Sequence, residues 1–74
     1  MQQLETKQVR IVVNGDERLV PAGENVRGLL AVLGIDADRV AVELDRSIVR
    51  KPDWDSIVVR DGSRIEIVQF VGGG

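Results

Sequence analysis

The sequence predicts a two-layer α+β domain in which a sheet of four to five strands is crossed on one face by one main helix. Two periodicities and a size limit carry that prediction. Apolar residues alternate with polar ones near both ends of the chain, and only residues 23–35, "GENVRGLLAVLGI", change to helical spacing. A chain of 74 residues, 43% of them hydrophobic, makes one domain. At this size a fold buries only about 60–65% of its unfolded surface, so the core has to be continuous. A single helix can then cover a single sheet face.

The elements follow in order. Residues 1–8 are polar and lack periodicity, which predicts a flexible leader ahead of a domain spanning 9–71. Val9, Ile11 and Val13 share one face of a first strand, with Arg10 and Val12 on the other. Asn14-Gly15 tolerates the positive φ of a type I′ turn and so returns the chain through Glu17 to Val20, where Pro21 ends ladder donation. Val26, Leu29, Leu30 and Leu33 then stand at i, i+3, i+4 and i+7, with Asn25 placed to cap the helix and Gly34 to end it. Gly28 inside the helix is expected to permit close approach to the sheet. Val40 to Leu44 and Ile48 to Arg50 read as two strands about a turn at Asp45-Arg46, and Ile57 to Val59 as a brief edge. Trp54 is expected to plug one end of the core. Asp61-Gly62 turns the chain into a last strand, Ile65 to Val71, and residues 72–74 form a flexible glycine tail.

Composition excludes much chemistry. There is no Cys and no His, so thiol nucleophiles, Ser-His relays and the usual zinc ligands are absent. Asp53 and Asp55 could in principle hold a hard cation, but beside Pro52 they read as a solvated turn, and no metal site is expected. Ten basic against twelve acidic residues, scattered along the chain, argue against nucleic acid. No apolar run approaches the roughly 18–20 residues of a membrane span, and no leader of the secretory kind opens the chain. The expected location is cytoplasmic and the expected state, alone, is a monomer.

Five stretches, in order and at consistent spacing, carry a family likeness: "VNGD", "LLAVLGI", "VAVELDRSIV", "PDWDSIVVRDGSRIEIV" and the terminal "VGGG". Together they resemble the thiamine-biosynthesis sulfur carrier proteins, the ThiS family, over essentially Val9 to Gly74. The resemblance implies a β-grasp, or ubiquitin-like, fold, a mixed sheet with its first and last strands side by side in parallel. Three features depart from the family pattern: the extra leader, Asp45-Arg46 where Asn-Gly is common, and Ser63 at a position often acidic.

The resemblance also implies a function. The C-terminal carboxylate, here that of Gly74 with Gly73 and Gly72 completing the tail motif, would be adenylated by a ThiF-like activating enzyme. It would be converted to a thiocarboxylate with sulfur from a donor enzyme, and the sulfur passed to a ThiG-like thiazole synthase. The protein would then be a carrier, not an enzyme, with no cofactor of its own because the ATP belongs to the activating enzyme. The chemistry is physically sound: an α-carboxyl with a pKa of about 3.5 is an anion at neutral pH. Three glycines in extended form span about 10 Å without demanding a wide channel. Ordering them costs about 3–6 kcal/mol, which must be recovered elsewhere. Alternation in the last strand turns Val68 and Phe70 toward the sheet face that no helix covers, and Val12 can join them, making these three candidate partner-binding residues. The competing expectation for Phe70 is an inward, core position. The same tail would serve a carrier like the small subunit of molybdopterin synthase, and a plain β-grasp interaction module is the alternative of another class.

Overall fold

The computed structural model describes residues 7–70, so Gly72, Gly73 and Gly74, and the leader up to residue 6, lie outside the described residues. Within them the strands are β1 (Gln8–Val13), β2 (Asp16–Pro21), β3 (Val40–Leu44), β4 (Ser47–Val49) and β5 (Arg64–Gln69), and the helix is α1 (Val26–Val32). They form one five-stranded sheet in the order β2-β1-β5-β3-β4. β1 and β5 run parallel, and the other neighbours are antiparallel. This is the β-grasp arrangement, a mixed sheet with one helix on one face. No helix among the described residues is long and apolar enough to cross a membrane.

Local chemistry explains most boundaries. Asn14 and Gly15 both take positive φ, +49° and +88°, as a two-residue type I′ connection requires. β1 starts at Gln8, one residue before the alternation becomes visible, because Gln8 pairs with Pro21 at the end of β2. The Asn25 carboxamide accepts from the Gly28 N–H at 2.7 Å and so satisfies a free donor of the first helical turn. Gly34, at φ +73°, supplies the left-handed residue after α1. The helix lays Val26, Leu29 and Leu30 onto Ile11, Val20, Val42 and Ile65 of the sheet. Trp54 closes the core, with 1% of its surface exposed and its indole N–H donating to the Val49 carbonyl at 2.8 Å.

The structure corrects two expectations and adds one element. Residues 57–59 form no sheet edge. Val58 makes an isolated bridge to Asn25, the Val26 N–H donates to the Ile57 carbonyl at 3.0 Å, and the Val59 N–H donates to the Glu24 carbonyl at 2.8 Å, so this stretch braces the entry to α1. Gly28 does not accommodate the sheet; a Cβ there would meet the Glu24 carboxylate and the Asn25 cap. Finally, Ala37–Arg39 forms a 3₁₀ turn before β3, started by the Asp36 carboxylate accepting from the Asp38 N–H at 3.0 Å.

Candidate functional site

β5 is the central strand, and its alternation divides the sheet's two faces. Ile65 and Ile67 turn toward α1, while Glu66 and Val68 turn to the bare face. Val68 is 60% exposed and Phe70 58%, which removes the core alternative for Phe70. Phe70 is held by its backbone: its N–H donates to the Arg39 carbonyl at 2.8 Å, continuing the β3–β5 ladder one step past Gln69. The aromatic ring therefore sits on a fixed support at the last described residue.

The neighbours of this ring come from β3 and β4. Ala41 lies opposite Val68, and Ile48, at 73% the most exposed large apolar residue among the described residues, lies opposite Glu43 on the same face. Phe70, Ala41 and Ile48 line one side of a groove of about 360 Å³ that runs over the β4 edge to Pro52 and Lys51. Val12 shares the bare face but not this groove. It pairs with Arg64 at the other end of β5 and borders a separate depression with Leu19 and Arg10. Val68 and Phe70 are both exposed on the bare face, Phe70 alone of the two lining this groove, and Val12 lies near the other end of the face.

Charged side chains around Trp54 are tied to one another. Arg27 reaches Asp55 at 2.7 Å and Lys51 reaches Asp38 at 2.6 Å, with both cations over the indole at 5.5 and 5.9 Å from its centroid. The hydrogen bond from Lys51, followed by its charge, holds the Asp38 carboxyl below the usual carboxylate value. Asp55 is occupied by Arg27, so Asp53 and Asp55 do not form a carboxylate pair, and no cluster of three or more potential metal ligands occurs among the described residues.

One residue with a large structural role was not legible as such. The Asn14 side chain bonds both backbone groups of Ile67, accepting from its N–H at 2.7 Å and donating to its carbonyl at 3.1 Å. The β1–β5 pairing has only two backbone partners, Val12–Arg64 and Val13–Ile65, and Asn14 extends it as a side-chain rung. The "NG" signal announces the turn but not this second use.

The ThiS family model matches residues 3–74. A crystal structure of the thiamine biosynthesis protein ThiS from Geobacter metallireducens superposes with a TM-score of 0.79 at 33% identity, covering 89% of this chain and all of that one. Among curated proteins, the thiazole synthase of Paramagnetospirillum magneticum is 44% identical over 66 residues, and that of Magnetococcus marinus 35% identical over 66. Each match takes in 89% of this chain but only 20% of the relative, so the chain spans about one fifth of the length of these synthases.

Proposed function

The chain belongs to the ThiS family, and on that premise we propose that it is a sulfur carrier for thiazole formation in thiamine biosynthesis, a protein co-substrate and not an enzyme. The reactive group is the α-carboxylate of Gly74, with Gly72 and Gly73 as its leash. An oxygen of that carboxylate attacks the α-phosphorus of ATP and pyrophosphate leaves. Sulfide delivered by a donor enzyme then attacks the acyl carbon and AMP leaves, giving a thiocarboxylate. Because the partners bring the nucleotide site, bases and thiols, a chain without Cys or His suffices.

The observation that carries the reading is the placement of Phe70: a half-exposed aromatic, locked to β3 by its backbone, where the central strand leads toward the three glycines. Covering the exposed parts of Phe70 and Val68 would remove roughly 200 Å² of apolar surface, about 5 kcal/mol at 25 cal/mol/Å². That is the same size as the ordering cost of three glycines, about 3–6 kcal/mol. Val68 and Phe70 therefore anchor the domain while the tail enters the partner's site. Val12, at the far end of the face, is an accessory contact. The proposed partners are the activating enzyme, the sulfur donor enzyme and the thiazole synthase, and the proposed location is cytoplasmic.

The test is the intact mass of the protein recovered from thiamine-starved cells. A species with sulfur in place of one terminal oxygen is the expected result. Its absence, under conditions where thiazole is being made, would overturn the reading.

A further inference from the structure

Glu43 and Glu66 stand directly opposite each other across β3 and β5, on the bare face. Directly paired residues in a sheet have Cβ atoms about 4.5–5.5 Å apart, and like charges at that position oppose folding. Both side chains are exposed, and neither has a salt-bridge partner among the described residues. The two carboxylates are not isolated from the docking groove. Ile48 flanks Glu43 in the next strand, and Val68, two residues past Glu66 on the same face, leads to Phe70. The face thus carries an apolar strip edged by two carboxylates that lack an ion-pair partner among the described residues, with Arg64 on the same face two residues before Glu66.

We infer that this carboxylate pair receives a cationic side chain of the thiazole synthase, and that it sets which partner surface the apolar strip can accept. The inference rests on the carrier reading above. The occupant follows from two observations. In the two synthases matched, a stretch similar to nearly all of this chain is part of the same polypeptide as the remaining four fifths, so a domain of this kind and a synthase body work within reach of each other. A second copy of this chain is a poor occupant, since face-to-face pairing would bring four carboxylates together on chains that each carry a net charge of −2. An Arg or Lys between Glu43 and Glu66 removes their mutual repulsion, so the bound state gains what the free domain lacks.

Glu43→Gln and Glu66→Gln keep the shape and remove the charge. Titration of each variant into thiazole synthase purified from the same organism, at low and at physiological salt, should show affinity about five- to tenfold weaker and less salt-dependent than for the parent. Each variant should melt at the same temperature or higher, because the repulsion is gone. This combination of a sturdier domain and a weaker complex is not produced by a merely structural pair. Unchanged affinity in both variants, with Phe70→Asp still weakening the complex, would overturn the carboxylate pair and leave the docking face standing. Unchanged affinity in all three would overturn the docking face as well. A loss confined to the activating enzyme, or concentration-dependent dimerisation abolished by the same substitutions, would overturn the synthase as occupant.

Discussion

On the docking proposal, Phe70 serves the partner and Asn14 the fold. Phe70 contributes little to the core, being 58% exposed, so Phe70→Asp should leave the melting temperature nearly unchanged while weakening association with the partner enzymes by about 2–4 kcal/mol. Calorimetry of the variant alone and of its complex separates the two effects; a large drop in melting temperature would contradict the placement. Asn14 is the opposite case. Its carboxamide supplies two hydrogen bonds to Ile67, and Asn14→Ala should cost about 1–3 kcal/mol in urea unfolding without changing partner affinity. Alternation along β5 made Phe70 and Val68 legible, because period two fixes facing once one inward residue is known. Asn14's second role was not legible, since it depends on which strand lies beside the hairpin, and local sequence is silent about that.

At the scale of elements, the two tight hairpins differ in how well their residues suit them. The β1–β2 turn uses Asn14-Gly15, whereas the β3–β4 turn places Asp45 at φ +49° and Arg46 at +74°. Asp45 has a compensating task, since its carboxylate accepts from the Arg64 N–H at 2.8 Å; Arg46 has none among the described residues, and Arg46→Gly should stabilise the domain by up to about 1 kcal/mol in thermal unfolding. The 3₁₀ turns at Ala37–Arg39 and Lys51–Asp53 are linked by the Asp38–Lys51 pair. Asp38 titrates below its unfolded value, so the link stabilises the fold above the usual carboxylate range and is lost as pH falls through the lowered value. Carbon-detected NMR titration should show a depressed Asp38 midpoint that returns toward normal in Lys51→Gln. The sequence marked the hairpins through their turn residues and the helix through its cap and spacing. It misled at Ile57–Val59, where β-branched residues read as a strand although the last strand's two edges are taken by β1 and β3, leaving the segment to pair with the helix entry instead.

For the molecule as a whole, on the carrier proposal, folding and chemistry lie in different parts of the chain. The buried apolar core runs from Ile11 to Ile65, ahead of the terminal glycines. Deleting Gly74, or extending the chain past it with a tag, should therefore abolish adenylation by the activating enzyme while leaving the thermal transition nearly unchanged. Continued adenylation of an extended chain at the parent rate would contradict the assignment of the reactive carboxylate. The two-layer arrangement was readable from one helical segment among alternating ones. The strand order was not, because adjacency of the first and last strands is decided by the crossover of α1 and by packing, which periodicity does not encode.

The central position of β5 has a mechanical consequence. It is bonded along both flanks, to β1 in parallel and to β3 antiparallel, with the Asn14 rung added on one side. A pull applied beyond Phe70 loads that strand along its own axis, so the bonds on both sides share the tension together and do not open one after another as in the peeling of an edge hairpin. In a single-molecule experiment, handles at residues 7 and 70 should require a higher rupture force than handles across the β3–β4 hairpin. On the carrier proposal, traction on the end of the chain as it leaves one enzyme for the next would load this strand without unfolding the domain.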